Sequence, residues 1–397
     1  MMTNAGMKKI FISDIHMGDE RSQAGPNPYG WFRSNISNLA NFLDEQLDAY
    51  KASEVSEVVI LGDLFDEWVI PTEQDPLTSF QAICNNPNNA QVLKPLQDLA
   101  EKGILSYVPG NHDMTLSTTN PAGNQQFMEQ NFPGIRYLAD GVYRQGSLVA
   151  EHGHRYCLFN AADTWTNLPS LLPLGYFISR LVAHKVSQTG KPENYYDILI
   201  KFIGKYIDSP NFVKDVYEGV AGDAKLNDSD PIDMHGIPGF PASVGAIGTL
   251  YEQLIENWKQ KRPDIDWKTA MYGDGVGDLS LAASQIYFFF TGSDQNIIIF
   301  GHTHKADMRK HYILEAAPGV ANIHLDLPCR AIYANSGTWI DSAPYCTYVE
   351  TQEDAAAGRH YVRILNYPDK KLLQEGFVKL TGLKTPAGAP SAAAPVS

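Results

Sequence analysis

A chain of 397 residues suffices for one large domain with insertions or for two domains, and 44% hydrophobic with 19% charged residues excludes a disordered chain. Lys and Arg number 31 against 45 Asp and Glu, and the resulting net charge of −14 disfavours bulk binding to a polyanion such as nucleic acid. A locally positive cleft, or bound cations, would still accept a small anion.

The first apolar run, Lys9-Ile10-Phe11-Ile12-Ser13, leads into Asp14-Ile15-His16. Its length and Ile content read as a buried strand, and the spacing of Ile36, Leu39, Ala40, Leu43 and Leu47 predicts a helix over 36–50. Val58-Val59-Ile60-Leu61 is the next strand and ends at Gly62-Asp63. Val92, Leu93, Leu96 and Leu99 predict a helix over 90–102, after which 104–108 leads into Pro109-Gly110-Asn111-His112-Asp113. Leu148-Val149-Ala150 leads into Glu151-His152-Gly153-His154. Strand-helix-strand alternation predicts an α/β fold, in which ligands gather at the carboxyl ends of strands.

From about 160 to 293 this pattern stops. Tyr195, Ile198, Leu199, Phe202, Ile203 and Tyr206 make one helical stripe, Leu250, Leu254 and Trp258 a shorter one, and 219–248, rich in Gly, Pro and Asp, reads as loop. The expectation is a largely helical inserted cap over 160–293, splitting a core made of 7–159 and 294–380. Between 171 and 206 the basic residues Arg180, Lys185, Lys191, Lys201 and Lys205 outnumber Glu193 and Asp197. Together with Phe177, Ile178, Leu181 and Val182 they form a candidate contact for an anionic membrane surface. An amphipathic helical pair packed on the core with solvated lysines is the favoured reading of the two. Ile297-Ile298-Ile299-Phe300 then leads into Gly301-His302-Thr303-His304, Ala331-Ile332-Tyr333-Ala334 into Asn335-Ser336-Gly337-Thr338, and 361–365 is a further strand. The end, 385–397, is rich in Ala, Pro and Ser and reads as a disordered tail.

Each polar cluster alone is an ordinary turn. Together, five strand ends deliver Asp14, Asp63, Asn111, His16, His152, His302 and His304. Mixed oxygen and nitrogen donors suit borderline ions such as Mn²⁺, Fe²⁺, Zn²⁺ or Co²⁺. Seven donors exceed the needs of one four-coordinate ion, so a pair of divalent metal ions sharing a ligand is the natural count. His154 is an alternative to His152, which is favoured because it follows its strand directly. Asp66, near Asp63, is expected to orient a ligand or cap a helix rather than to bind metal.

In that order, Asp14-x-His16, Gly62-Asp63, Gly110-Asn111-His112-Asp113, His152 and Gly301-His302-x-His304 resemble the calcineurin-like metallophosphoesterase superfamily, over roughly 8–305. The resemblance implies a four-layer αββα sandwich of two mixed sheets. It implies a first ion held by Asp14, His16, Asp63 and His304, and a second by Asn111, His152 and His302 with Asp63 bridging. A hydroxide bridging the ions would attack phosphorus in line. His112 matches the family's non-ligand histidine, a donor to the phosphate or leaving oxygen, and the neighbouring Asp113 is expected to raise its basicity and fix its tautomer.

Within the superfamily, Gly62-Asp63-Leu64-Phe65-Asp66-Glu67-Trp68 is most similar to the bacterial UDP-2,3-diacylglucosamine pyrophosphatases of lipid A synthesis. This chain departs from that group in having His112 where the group carries Arg, and in a far longer insertion. The implied enzyme is a metal-dependent hydrolase of a phosphate ester or pyrophosphate, acting on a small or lipid-linked phosphoester. A DNA-end nuclease and a non-catalytic scaffold of the same fold are the alternatives. Cys84, Cys157, Cys329 and Cys346 form no C-x-x-C pair, the first nine residues lack the apolar core of a secretory leader, and no run reaches a spanning length. The expected setting is cytoplasmic, with peripheral membrane contact through the cap as an added possibility. The sequence leaves oligomeric state open.

Overall fold

The computed structural model describes residues 6–77, 79–114, 121–163, 171–193, 195–237, 243–289, 295–311 and 329–380. The expected tail, 385–397, lies outside the described residues. Among the described residues, twelve strands form two mixed sheets. The larger contains β1 (Lys8–Ile12), β2 (Val55–Leu61), β3 (Leu105–Val108), β4 (Arg136–Tyr137), β10 (Cys346–Asp354), β11 (Arg359–Tyr367) and β12 (Leu372–Lys379), in the order β12-β11-β10-β1-β2-β3-β4. The smaller contains β5 (Val142–Gln145), β6 (Leu148–Glu151), β7 (Ile297–Phe300), β8 (Asp307–His311) and β9 (Ala331–Asn335), in the order β5-β6-β7-β9-β8. β1 to β4 run parallel, as do β6, β7 and β9, while β10, β11 and β12 in the larger sheet and β5 and β8 in the smaller pair antiparallel with their neighbours.

Alternation along the strands builds the layers. Phe11, Val59 and Leu61 point between the sheets, where they meet Ala150, Ile297, Ile299 and Ile332. Ile10, Ile12, Val58 and Ile60 point outward onto the helices Ile36–Lys51 and Ala90–Glu101, packing against Leu39, Leu43, Val92 and Leu96. On the smaller sheet, Val149, Ile298, Phe300 and Tyr333 point outward onto the helices that lie between β6 and β7. The fold is a four-layer αββα sandwich. Both strand faces are buried, which is why these runs read as continuous apolar stretches rather than alternating ones.

Among the described residues, the stretch between β6 and β7 includes the helices Leu174–Thr189, Tyr195–Tyr206, Phe212–Asp223, Val244–Leu250, Leu254–Lys261 and Trp267–Gly275. The stripe from Tyr195 to Ile203 is buried as expected from its spacing. The expected loop over 219–248 is helical at both ends, and Gly219 gives the reason. A Cβ there would lie 2.6 Å from Phe202 Cδ1, so the glycine serves close helix packing rather than a turn. Leu250 and Leu254–Trp258 belong to two separate helices rather than to one stripe.

Arg180 is fully buried on the helix Leu174–Thr189. It donates to the carbonyls of Ile70, Pro71, Thr72, Gln74 and Asp233, and so ties the inserted helices to the loop that follows β2. Lys185 pairs with Glu193 and Asp223, and Lys201 pairs with Asp223. The excess of positive charge between 171 and 206 is therefore largely committed within the molecule. Among the described residues, no helix is long and apolar enough to cross a membrane.

Candidate metal centre

The carboxyl ends of β1, β2, β3, β6 and β7 deliver every residue named above to one buried place. Asp14, His16, Asp63, His302 and His304 all have positive φ, between 54° and 71°. Left-handed backbone costs a non-glycine residue roughly 1–3 kcal/mol, and five such residues at one set of strand ends mark a functional site. Gly62, with φ 79°, lets the strands approach: a Cβ there would lie 2.6 Å from His152 Nδ1.

The donors fall into two groups. In the first, His16 Nε2 lies 3.0 Å from His304 Nε2, and His304 Nε2 lies 3.2 Å from Asp14 Oδ1. In the second, His152 Nε2 lies 2.9 Å from Asn111 Oδ1 and 3.3 Å from His302 Nδ1. Asp63 Oδ2 stands between them, 3.6 Å from His16 Nε2 and 3.2 Å from His152 Nε2.

Hydrogen bonds on the far side of several of these side chains fix their orientations, as metal-binding side chains require. His152 Nδ1 donates to Leu61 O at 2.6 Å, which turns its Nε2 toward Asp63. His112 N donates to Asp63 Oδ1 at 2.8 Å, which leaves Oδ2 for the shared position. His302 N donates to Asp14 Oδ2 at 2.9 Å. Asp14 Oδ1 is buried without a hydrogen-bond partner among the described residues, although His304 Nε2 is near.

Electrostatics agree with a cation site. Burial alone would raise the Asp63 carboxyl, but the imidazoles of His152, His112 and His16 outweigh it and hold the group well below the usual carboxylate range. Burial pushes His302 well below the usual histidine range, with His152 adding to the effect. Burial would lower His152 as well, yet Asp63 and Asp14 bring it up to about 9. Imidazole nitrogens held about 3 Å apart repel unless a proton or cation lies between them. Carboxylate, amide and imidazole donors packed this way fit borderline divalent ions in two adjacent positions. Asp14, His16, Asp63 and His304 would hold one, and Asp63, Asn111, His152 and His302 the other. His154 is less buried than His152, and among the described residues it joins none of the groups whose donor atoms lie within 4.8 Å of one another.

His112 sits beside the metal positions, stacked on Trp68 at 4.6 Å between ring centroids. The expected pairing with Asp113 does not form. Asp113 instead accepts from Gly110 N at 2.5 Å, Leu64 N at 3.2 Å and the Tyr107 hydroxyl, and it braces the turn that presents Asn111. His112 Nδ1 faces Asp66 Oδ1 at 3.0 Å. Burial opposes protonation of His112, but Asp66 and Asp63 raise it above the usual value. The turn after β3 points consecutive side chains in different directions, so sequence adjacency of His112 and Asp113 was a poor guide to contact.

Sequence reasoning did not find the aromatic wall. Trp31 lies 4.9 Å from His16 and 5.3 Å from His112 between ring centroids, Tyr196 lies 5.4 Å from His304, and Tyr195 lies 6.4 Å from Trp31. These rings line a narrow cavity of about 10 Å³ with Asp63, Asn111, His112, Asn160, His302 and His304. The Tyr196 hydroxyl donates to the His302 carbonyl. Trp31 sits in a loop with no local pattern around it, so nothing in its neighbourhood signals the contact.

Residues 7–306 match the family of calcineurin-like phosphoesterases. The chain belongs to that family. A UDP-2,3-diacylglucosamine hydrolase of Tolumonas auensis is 30% identical over 111 residues, 28% of this chain and 34% of that one. The match thus spans about a third of the length of that relative. A dimetal phosphatase from Danio rerio superposes with a TM-score of 0.39 at 11% identity, over 95% of this chain and 100% of that one. A purple acid phosphatase from yellow lupin (Lupinus luteus) seeds superposes with a TM-score of 0.36 at 11% identity, over 94% and 53%.

Proposed function

We propose that this calcineurin-like phosphoesterase hydrolyses a phosphate ester or anhydride of a small or lipid-linked molecule, using two divalent ions. The observation that carries the reading is Asp63 Oδ2, which stands 3.6 Å from His16 Nε2 and 3.2 Å from His152 Nε2, a bridging position between two ligand groups. When bound, the ions supply Lewis-acid activation and neutralise charge that develops on the phosphoryl group.

His112 holds a proton on Nδ1 against Asp66 and presents Nε2 as the second proton site, the atom from which a leaving oxygen would be protonated. Trp68 keeps the ring in place by stacking. Trp31, Tyr195 and Tyr196 exclude water and so strengthen each of these interactions. The helices between β6 and β7 act as a cap that shapes access, and because Trp31, Tyr195 and Tyr196 leave a cavity of only about 10 Å³ over the donors, the aromatic wall must move to admit a substrate. The partial likeness to a UDP-2,3-diacylglucosamine hydrolase supports a lipid-linked substrate.

The test is Mn²⁺-reconstituted protein assayed with a phosphomonoester, a phosphodiester, a UDP-linked pyrophosphate and single-stranded DNA. Turnover of the pyrophosphate supports the lipid-linked branch, and turnover of a simple ester the small-substrate branch. Turnover of DNA alone would overturn the substrate assignment.

A further inference from the structure

Beyond the ligands, one buried carboxylate touches the site from the inserted helices. Asp274 lies on the helix Trp267–Gly275 and is fully buried. Its Oδ2 accepts from Phe159 N at 2.7 Å, and its Oδ1 accepts from Asn160 Nδ2 at 2.5 Å. The second bond uses the side-chain amide nitrogen of Asn160 and leaves its oxygen to face Asn111 Nδ2 at 3.5 Å. The Asn160 oxygen has little freedom, because Gly175 N donates to Phe159 O at 2.8 Å and a side chain on Gly175 would strike Asn160.

An asparagine ligand has two nearly isosteric ends, and only the oxygen can bind a cation. Rotating the Asn111 amide by half a turn would aim an N–H at His152 and the second metal position. We propose that Asp274 is a positioning residue for that position: through Asn160 it holds the Asn111 amide with its oxygen toward His152 Nε2. The inference rests on the two-ion reading above and adds a contact from the insertion to it. A second observation places the same carboxylate beside the other ligand of this position. An oxygen of Asp274, Cys157 Sγ and a ring nitrogen of His302 lie within 4.8 Å of one another. His302 Nε2 is buried and has no hydrogen-bond partner among the described residues. Two candidate ligands of the second position, Asn111 and His302, thus lie next to Asp274 or to the side chain it holds.

Equilibrium dialysis of the full chain against Mn²⁺ alone tests this, with Asp274→Asn and Asn160→Ala compared with wild type and with His304→Ala marking loss of the first position. Asp274→Asn keeps the shape but turns an N–H toward a main-chain donor, and Asn160→Ala removes the relay while leaving Asp274 its bond to Phe159 N. The expected result is one Mn²⁺ bound as in wild type and the second weakened by roughly 10–100-fold in both variants, with unfolding still cooperative. Wild-type affinity at both positions, or equal weakening of both, would overturn the proposal. If Asp274→Asn does not fold, Asn160→Ala decides on the same criterion. A wild-type chain that binds fewer than two ions would instead overturn the two-ion reading itself.

Discussion

Asp66 holds two histidines at once: its Oδ1 lies 3.0 Å from His112 Nδ1 and its Oδ2 lies 3.1 Å from His16 Nδ1. The carboxylate is in turn fixed by Trp68 N and Val69 N, each 2.9 Å from Oδ1. Burial opposes its charge, but His112 and His16 hold the carboxyl well below the usual range. One side chain thus orients a first-position ligand and the candidate proton donor.

Asp66→Asn is therefore expected to act on both. An amide presents one acceptor, so at least one imidazole loses its partner. Mn²⁺ affinity at the first position should fall by roughly 10–100-fold, with a further loss of turnover at saturating metal. Dialysis followed by steady-state kinetics separates the two effects. Unchanged metal affinity would limit the role of Asp66 to His112.

His112→Ala should keep its metals and lose rate, by about 10²–10⁴-fold for a missing proton donor. Its Nδ1 faces Asp66 Oδ1, although a ring nitrogen also lies within 4.8 Å of donor atoms of His16 and Asp63, so metal content is the discriminating readout. Metal content measured beside kcat checks this. Loss of the ions in this variant would reassign His112 to the ligand set.

The clustering of these candidate ligands was legible in the sequence because each lies just beyond an apolar strand, and parallel strands in one fold bring their carboxyl ends together. The His112 partner was not legible. Asp113 is adjacent in sequence, but its carboxylate turns back to Gly110 and Tyr107, and the carboxylate that reaches His112 comes from the β2 end instead. The sandwich layers followed from the apolar runs. The packing of the inserted helices did not, because it depends on long-range contacts such as Gly219 against Phe202 and Arg180 against the 70–74 carbonyls.

Arg180→Met should destabilise the protein by about 2–5 kcal/mol, because it leaves buried carbonyls without donors and removes the tie between the inserted helices and the β2 loop. Urea unfolding checks the magnitude. A change under about 0.5 kcal/mol, the range of ordinary surface substitutions, would show that the contacts are replaced by other donors.

Glu57 provides a pH test away from the metal positions. Burial would raise its carboxyl, but Ser106, Tyr143 and Lys9 hold it below the ordinary value of 4.5. A carboxyl lowered in the folded state stabilises above its unfolded value, and that contribution is lost as pH falls through the folded value. Glu57→Gln should therefore cost about 1–3 kcal/mol near neutral pH, and the gap from wild type should close as pH drops below about 4.5. Thermal unfolding across this range is the measurement, and a gap that widens in acid would contradict the assignment.

The most direct test of the two-ion phosphoesterase is turnover of a phosphate ester by chelator-stripped protein as Mn²⁺ is added back, for wild type and Asp63→Ala. Bridging by Asp63 predicts activity that rises to a plateau near two ions per chain, and a variant that binds neither ion firmly and does not turn over. Full activity in the stripped protein, or a plateau for Asp63→Ala equal to that of wild type, would contradict it.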